Sequence, residues 1–378
     1  MEKFNIIDTT LRDGEQTAGV SFTLKEKIEI AKMLNNFGVE IIEVGIPAMG
    51  NHEIKTIKEL LKLNLNSEIM TWNRIVEEDI IESLKCGVKN IHISAPVSDI
   101  HIEKKLNKDK NWVLEQTKKC IRIAKDFGAD ISLGAEDSSR ANFDFLIEYY
   151  QMAQVEGVSR IRFADTVSCL TPLTTYETIK KIKDKINLPI DFHGHNDFGC
   201  ATGNSFSAVK AGAEYISCSI NGLGERAGNT PLEEIVMAVK YLSDIEKNYK
   251  IEQLIEISKT VEIFSKKTVN SMKPIVGKDV FSHESGIHVD GLLKNENTYE
   301  LFNPKELGRN RQIIIGKHTG IAGIINKFNE LGKHIDNDTA KKIILKIRNE
   351  LEVNKNFDIN NYLIKYANSN KQEVFYDD

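Results

Sequence analysis

Two histidines separated by a single residue, His193 and His195, are the clearest candidates for chemistry in this sequence. Side chains at positions i and i+2 of an extended segment point to the same side, so both imidazoles can reach one metal ion. The pattern alone does not decide between a metal site and a pair of hydrogen-bonded histidines. Asp13, just after the first apolar run of the chain, can supply the carboxylate that such a site still needs.

Asp13, His193 and His195 would form a mixed set of one oxygen and two nitrogen ligands. Such a set, with positions left open, suits Mn²⁺, Mg²⁺, Zn²⁺ or Co²⁺. The Gly-rich segment 221–229 ends on Asn229, which we predict to be a further oxygen ligand. In the same segment Glu225 and Arg226 either pair with each other or serve the site, and the sequence leaves both interpretations open.

Further polar side chains follow two other apolar runs. Glu136 and Asp137 come after one of them, and Asp165 and Thr166 come after the next. These residues could act as acid, base or hydrogen-bond donor at a shared site. For either aspartate the alternative is capping of the helix that follows.

The elements that must position these residues are short runs rich in Val, Ile and Phe. They are separated by segments in which apolar residues recur every three or four positions. The predicted strands are Asn5–Asp8, Ile41–Gly45, Glu68–Thr71, Asn90–Ser94, Asp130–Gly134, Arg160–Ala164, Pro189–His193 and Tyr215–Ser219. Eight alternations of strand and helix predict an α/β fold, the (β/α)₈ TIM barrel, rather than an open doubly wound sheet. The candidate residues would then meet at the carboxyl ends of the strands.

The pattern changes to longer helical stretches after about residue 250. We predict a catalytic barrel domain over residues 1–255 and a C-terminal helical appendage over residues 256–378. Within it, the segment 280–293 carries His288 between glycines and is predicted to be a mobile lid loop. The sequence from Asn354 onward is polar and rich in Asn and Lys, so its last turn is expected to fray.

Composition limits the classes of partner. Lys+Arg number 50 and Asp+Glu 55, giving a net charge of -5 without a basic stripe, so we expect no nucleic-acid binding. We expect no signal peptide, because the apolar run Phe4–Ile7 begins at once, and no run is long enough to span a membrane. The 5 scattered cysteines, without a C-x-x-C pair, fit reduced thiols. We therefore predict a cytoplasmic enzyme that acts on small molecules.

Three motifs together resemble the signatures of the acyl-CoA-condensing barrel enzymes. They are residues 8–16 (DTTLRDGEQ), 193–197 (HGHND) and 222–229 (GLGERAGN). This family comprises the isopropylmalate, citramalate and homocitrate synthases, and it is related to the hydroxymethylglutaryl-CoA lyases. The resemblance implies a divalent metal ion, acetyl-CoA as co-substrate, a 2-oxo acid as acceptor, and a homodimer.

Within the family, residues 15–20, 44–50 and 162–166 resemble the nitrogen-fixation type of homocitrate synthase. The lysine-pathway type usually has Arg-Cys-His where this sequence has Trp72-Asn73-Arg74. The resemblance therefore implies an acyltransferase that makes homocitrate from acetyl-CoA and 2-oxoglutarate. The alternatives are a Re-type citrate synthase that uses oxaloacetate, an isopropylmalate or citramalate synthase, an acyl-CoA lyase, or a non-catalytic metal-binding barrel.

The resemblance also implies roles for individual residues. Arg12 would stabilise the alkoxide that develops on the acceptor, and Glu136 and His288 would carry protons. Arg74 or His92 would meet the distal carboxylate of 2-oxoglutarate. The full set of predicted substrate ligands is Gln16, Arg74, His92 and Thr166.

Overall fold

The structure, a computed structural model, describes residues 3–369 and contains a closed barrel of parallel strands. Strands β1 to β8 are Asn5–Asp8, Ile41–Glu43, Glu68–Arg74, Asn90–Pro96, Asp130–Glu136, Arg160–Asp165, Ile190–Gly194 and Tyr215–Cys218. Each strand pairs with the next, and β1 pairs with β8 in register from Asn5 with Tyr215 to Asp8 with Cys218. The predicted (β/α)₈ TIM barrel is confirmed.

Helices connect the strands and follow the last of them. Helices α1 to α9 are Leu24–Phe37, Asn51–Leu61, Glu77–Lys85, Lys110–Asp126, Phe143–Val155, Pro172–Lys183, Ala201–Lys210, Leu232–Leu242 and Leu254–Ser265. Helix α1 shows how the sequence sets such boundaries. Thr23 and Glu26 form a reciprocal capping box at its start, and Gly38 ends it at a φ of 108°, a conformation that costs glycine little.

The barrel interior changes from apolar to charged along the strands. Near the first residues of β2 and β8, Ile7, Ile41 and Met70 form a buried cluster against which Tyr215 packs. Two residues further along β2, and so on the same face of the strand, lies the buried carboxylate of Glu43. Charged side chains therefore occupy the inward positions nearer the carboxyl ends.

The chain divides into two compact units between Val276 and Gly277. The predicted boundary at residues 255 and 256 falls inside α9. That helix packs against α1 and buries Ile257 and Val261, so it belongs to the first unit. The division into catalytic and accessory functions stays a prediction.

In its described part, the second unit contains the small parallel pair β9 and β10 and four α-helices. They are Ser282–His283 and Gln312–Ile313 for β9 and β10, and Gly286–Lys294, Ile321–Glu330, Asn337–Val353 and Ile359–Asn368 for α10 to α13. Its core is an apolar cluster centred on Ile324, Phe328 and Ile343. Among residues 3–369, no helix has both the length and the apolar character required to cross a membrane.

One expectation for the second unit differs from the structure. Segment 280–293 is not an open loop, because most of it forms β9 and α10, although its proposed role as a lid is untested. Beyond Asn354 the described residues form α13: Asp358 caps the helix, and Leu363 and Ala367 join the apolar cluster. The last turn, which was expected to fray, lies outside the described residues. The polar composition concealed this helix, since only one side of it meets the core.

Candidate active site at the carboxyl ends of the strands

Asp13, His193 and His195 converge in a buried group whose ligand atoms all lie within 4.8 Å of one another. Asp13 Oδ2 lies 3.1 Å from His193 Nε2, and the two Nε2 atoms are 3.2 Å apart. Strand β7 carries His193, whereas Asp13 follows β1 on the other side of β8. Barrel closure thus joins residues that are distant in sequence, and their geometry suits one divalent ion.

Unpartnered polar atoms surround this group. Asn229 Oδ1 is buried without a hydrogen-bond partner, as is the Nδ1 atom of each histidine. The backbones of His195 and Asn229 face each other in an antiparallel bridge, which brings the amide to the site. A Cβ atom on Gly224 would lie 2.6 Å from Asn229 Nδ2, so this position requires glycine. A buried oxygen without a partner fits an additional metal ligand.

The protonation states also suit a metal. Burial would raise the pKa of Asp13, but the charge of Arg12 and the hydrogen bond with His193 outweigh it and hold the pKa below its usual range. Burial, together with the neighbouring His193, lowers the pKa of His195 to about 3. At neutral pH Asp13 is therefore a carboxylate and His195 is neutral, and these are the forms that bind cations.

Arg12 is fixed beside the group by several contacts. Its Nε atom lies 2.5 Å from Glu43 Oε1, and its Nη1 atom lies 3.3 Å from Asp13 Oδ2. The guanidinium carbon lies 5.7 Å from the centre of the Trp72 ring, and Nη1 donates to Gln16 Oε1 at 3.4 Å. The side chain is thus a preorganised cation at the edge of the candidate metal site.

A buried ionic network supports Arg12 from within the barrel. Glu43 accepts from Arg162 Nη2 at 2.8 Å, and Arg162 Nε donates to Asp191 Oδ2 at 2.5 Å. Asp191 in turn accepts from the hydroxyl of Ser217. Burial would raise the pKa of Glu43, but Arg12 and Arg162 lower it, so the carboxylate stays ionised.

Sequence reasoning missed this network, although the signal was present. Glu43, Arg162 and Asp191 each stand between apolar residues inside a predicted strand. A charge at such a position points into the barrel, because its two neighbours point outward. Buried charges of this kind are rare without a partner and commonly belong to functional sites.

A cavity of about 160 Å³ opens beside these residues. Its lining residues are Arg12, Asp13, Gln16, Trp72, His92, Ser94, Gly134, Ala135, Glu136, Arg162, Ala164, Thr166, His193, His195, Glu225 and Arg226. Of the predicted substrate ligands, Gln16, His92 and Thr166 lie in this wall. The structure thus brings them together with the candidate metal group.

His92 lies deep in this wall. Its Nδ1 atom is 3.0 Å from Ser132 Oγ, and its Nε2 atom would be 2.4 Å from a Cβ on Gly134, which leaves room for the ring only because that position is glycine. Burial and the neighbouring charge of Arg162 lower the pKa of His92 well below its ordinary value. The imidazole is therefore neutral, and it can form a hydrogen bond without carrying a charge.

Arg74 is not among the residues that line the cavity, so we do not retain it as a substrate ligand. Its guanidinium makes two hydrogen bonds, of 2.7 and 2.9 Å, with the carboxylate of Asp79 in the first turn of α3. The side chain is 60% exposed. Strand β3 extends to Arg74, beyond the predicted end at Thr71, and the neighbouring acid captures the side chain.

Glu136 lies at the mouth of the cavity. Its carboxylate accepts from Lys105 Nζ at 2.7 and 2.9 Å, and His101 Nδ1 lies 3.5 Å away. Sequence reasoning did not single out His101, which begins the single-turn π-helix His101–Leu106 after β4. Such turns are rare and often mark functional sites, so His101 joins the candidate acids and bases.

His288 lies in the second unit, on α10, and is exposed. Its ring packs against that of Tyr299 with centroids 4.2 Å apart. Tyr299 was not singled out from the sequence, because it stands in a polar stretch without apolar periodicity. The contact pairs an imidazole with a phenol, two groups that can carry protons.

The charged pair of the Gly-rich segment does not pair internally. Arg226 instead makes two hydrogen bonds, of 3.0 and 3.1 Å, with Asp197 after β7. Its left-handed backbone, at a φ of 59°, turns the side chain toward that loop. Glu225 and Arg226 both line the cavity.

The family model described as HMGL-like matches residues 3–261, and that described as homocitrate synthase post-HMGL domain-like matches residues 275–355. The chain is 50% identical over 343 residues to a protein named 2-isopropylmalate synthase 2 from Caldanaerobacter subterraneus subsp. tengcongensis, covering 91% of this chain and 89% of that one. It is 43% identical over 350 residues to homocitrate synthase 1 from Nostoc sp., covering 93% of each.

The fold is also similar to that in a crystal structure of the HMG-CoA lyase of Bacillus subtilis. The TM-score is 0.66 at 20% identity, with 74% of this chain and 98% of that chain covered. This likeness concerns the fold alone. By its sequence matches, the chain belongs to the HMGL-like family, as an enzyme of the group formed by the isopropylmalate, homocitrate and citramalate synthases.

Proposed function

We propose that this enzyme condenses acetyl-CoA with a 2-oxo acid at a divalent metal ion and then hydrolyses the thioester. The observation that carries the proposal is the meeting of Asp13, His193 and His195 beside Arg12 in one cavity. The names of its relatives, an isopropylmalate synthase and a homocitrate synthase, support the same class of reaction.

The metal would be held by Asp13, His193 and His195, with Asn229 as a further ligand. An ion bound there would act as a Lewis acid on the ketone of the 2-oxo acid. The buried, unpartnered Oδ1 of Asn229 and the ionised state of Asp13 support this ligand set. One carboxylate, two imidazoles and an amide admit Mg²⁺, Mn²⁺, Zn²⁺ or Co²⁺.

Arg12 would stabilise the negative charge that develops on the ketone oxygen. When the acetyl carbon attacks the ketone carbon, the C=O π pair moves to oxygen and leaves an alkoxide. A guanidinium that Glu43 and Trp72 already hold in place needs little reorganisation to meet that charge. Such a contact is stronger in the transition state than in the ground state.

Proton transfer would fall to Glu136 and His288. The methyl group of acetyl-CoA must lose a proton before its carbon forms the new bond, and the alkoxide must gain one. Glu136 lines the cavity, and its carboxyl group lies 2.7 Å from Lys105 Nζ. Tyr299 would hold the ring of His288. Water then breaks the C–S bond of the product thioester, releasing CoA as the thiol and the new carboxylic acid.

Thr166 would bind the carboxylate of the 2-oxo acid. Its Oγ1 accepts from the backbone N–H of Asp137 at 2.9 Å, so the hydroxyl hydrogen remains to be donated. Gln16, which also lines the cavity, would hold the same ligand. A second cavity of about 300 Å³ shares Arg12 and Gln16 with the first, and we propose that the thioester arm enters through it.

The wall of the cavity favours a 2-oxo acid with a polar side chain. Among the described residues, none of those lining it is Val, Ile, Leu, Phe or Met. His92, Ser94 and Arg162 would instead offer hydrogen bonds to a distal carboxylate. We therefore propose 2-oxoglutarate as acceptor and homocitrate as product, with oxaloacetate as the closest alternative.

A second candidate function is isopropylmalate synthesis, favoured by the 50% identity to a protein named 2-isopropylmalate synthase 2. The absence of Val, Ile, Leu, Phe and Met from the described wall speaks against it, because the isopropyl group of 2-oxoisovalerate would lie mainly beside polar side chains. Citramalate synthesis from pyruvate would require neither hydrogen bonds to a distal carboxylate nor apolar contacts with an isopropyl group. The nitrogen-fixation role, the homodimer and the cytoplasmic location stay predictions from the resemblance.

Release of the CoA thiol from acetyl-CoA, measured with a panel of 2-oxo acids, tests the proposal. We expect the highest kcat/KM with 2-oxoglutarate, and loss of turnover after chelation that Mn²⁺, Mg²⁺, Zn²⁺ or Co²⁺ restores. A higher kcat/KM with 2-oxoisovalerate or pyruvate would move the assignment to those synthases. If none of the 2-oxo acids in the panel supported thiol release, the proposal would be rejected. Full turnover in metal-free protein would also reject it. Incubation with a 3-hydroxyacyl-CoA, followed by detection of acetyl-CoA, tests the lyase alternative.

A further inference from the structure

Several residues at the carboxyl ends of the strands hold left-handed backbone conformations although they are not glycine. Asp137 follows β5 at a φ of 62°, Ser168 follows β6 at 54°, and Arg226 follows β8 at 59°. A Cβ atom makes this region unfavourable by about 1 kcal/mol or more, so it persists only where other contacts hold it. All three residues belong to one network of hydrogen bonds.

Asp197, in the loop after β7, is the centre of that network. Arg226 donates to both of its carboxylate oxygens, and the hydroxyl of Ser168 donates to Oδ2 at 2.6 Å. Arg226 Nη2 also donates to the carbonyl oxygen of Thr166 at 2.6 Å. The loops after β6, β7 and β8 therefore meet at one Arg–Asp pair, which we name the Arg226–Asp197 clamp.

Thr166 is held by this network from two sides. Its carbonyl oxygen accepts from Arg226, while its Oγ1 accepts from the backbone N–H of Asp137. Close to the clamp, the backbone N–H of Asn196 donates to the carbonyl of Gly228 at 2.9 Å. The clamp thus holds the backbone of Thr166, a residue that lines the cavity.

Stability alone does not account for the clamp. The side chain of Arg226 is 39% exposed and that of Asp197 is 25% exposed, so the ion pair itself is worth about 1 kcal/mol at most. The strain at Arg226 and at Ser168 together costs at least as much as the ion pair contributes. What the clamp achieves is a fixed arrangement of three loops.

We propose that Arg226 is a positioning residue. By binding Asp197 and the carbonyl of Thr166, it fixes the hydroxyl of Thr166 where the carboxylate of the 2-oxo acid binds. This inference rests on the proposed function, because its kinetic test measures KM for a 2-oxo acid. Because Arg226 also lines the cavity, the test must separate positioning from direct contact with the substrate.

The test compares Arg226→Gln, Asp197→Asn and the double variant by steady-state kinetics with the preferred 2-oxo acid. Each single variant should raise KM for the 2-oxo acid about tenfold, the loss expected for a partly exposed charge-assisted contact, with a smaller change in kcat. Members of one clamp are not additive, so the double variant should be no worse than either single one. Arg122→Gln is the matched control, because Arg122 makes a similar two-point pair with Glu156 away from the cavity.

Arg226→Gly separates the clamp from the folding of its loop. Glycine accepts the left-handed conformation at no cost, so this variant should melt no lower than the wild type while showing the same rise in KM. Amide exchange in the free protein gives a readout without turnover. The amides of Asn196 and Asn229 should exchange faster in Arg226→Gln and in Asp197→Asn than in Arg122→Gln.

Two outcomes would overturn the inference. A raised KM in Arg226→Gln with an unchanged KM in Asp197→Asn would mean that Arg226 contacts the substrate directly. Unchanged amide exchange in both single variants would mean that the clamp does not hold the loops. If no 2-oxo acid supported CoA release by the wild type, the proposed function would fail. The exchange measurement would still decide whether the clamp holds the loops.

Discussion

The two ends of the barrel interior are built by the same strands but differ in chemistry. Near the first residues of β2 and β8, Ile7, Ile41 and Met70 pack with Tyr215 into an apolar layer. At the carboxyl ends, Asp13 and the two histidines gather with polar atoms that lack partners. One end is therefore filled by apolar packing, whereas the other presents polar atoms that could hold a ligand.

This difference indicates where stability and function reside. In (β/α)₈ enzymes the carboxyl ends carry the chemistry and the opposite ends carry the fold. Arg160 is an exception at the apolar end: it is buried, its Nε lacks a partner, and its guanidinium lies 4.7 Å from the Tyr215 ring centre. The contact of the guanidinium with the Tyr215 ring offsets part of the free-energy cost of burying the charge of Arg160.

Replacing a candidate metal ligand should have the largest effect on activity. His195→Ala removes one imidazole from the group around Asp13, and we expect turnover to fall at least ~10³-fold, since a Lewis acid contributes several kcal/mol to such reactions. Binding of Mn²⁺, measured by calorimetry, should be lost while the melting temperature of the metal-free protein changes little. His334→Ala, at an exposed histidine of the second unit, is the control. Retained Mn²⁺ binding in His195→Ala would contradict the ligand set.

Loss of Arg12 should come next. Arg12→Ala removes the cation that Glu43 and Trp72 hold beside the site, and kcat should fall ~10² or more, by analogy with loss of an oxyanion donor. KM for acetyl-CoA and affinity for Mn²⁺ should change far less. Arg122→Ala serves as control for loss of a charged side chain. A fall in kcat of less than about threefold would make Arg12 a structural residue.

The apolar end should respond in the opposite way. Met70 is fully buried in the layer formed with Ile7 and Ile41. Met70→Ala should lower the free energy of unfolding by about 2 kcal/mol or more through lost burial and a cavity. Its kcat/KM, measured well below the melting temperature, should stay near that of the wild type. Met272→Ala, at a side chain 79% exposed, should change neither quantity. A large loss of activity in folded Met70→Ala would break the contrast between the two ends.

The sequence predicts the fold and the metal group for the same reason. Strands of apolar residues alternate with amphipathic helices, and the carboxyl ends of such strands must meet, so the sequence alone predicts that Asp13 and the two histidines come together. The buried ionic network is harder to predict from the sequence, because Glu43 and Arg162 stand inside apolar runs whose pattern indicates only a strand. Their partners depend on how the barrel closes.

Other positions depended on contacts that no local pattern carries. Arg74 was expected to meet the substrate, but Asp79, only five residues on, captures its guanidinium. The helix Ile359–Asn368 was hidden by its polar composition, since only Leu363 and Ala367 are buried against the second unit's core. In both cases the outcome is set by tertiary neighbours rather than by propensity.

A smaller effect should appear behind the carboxyl end of β1. Asp8 is fully buried, its Oδ2 lacks a partner, and burial raises its pKa from 3.8 to about 7. Between those values the folded protein holds a proton that the unfolded chain has lost, so stability should fall as pH rises through this window. The full shift corresponds to about 4 kcal/mol at ~1.4 kcal/mol per unit, and relaxation around Asp8 should leave about 1–2 kcal/mol.

Asp8→Asn should remove that penalty. Urea unfolding at pH 5 and pH 8 should show the variant gaining stability relative to the wild type as pH rises, because the amide cannot ionise while its oxygen can still accept from the backbone of Thr10. Asp338→Asn, at a side chain 82% exposed, is the control and should show no such gain. Equal pH dependence in Asp8→Asn and the wild type would mean that Asp8 is ionised and partnered at neutral pH.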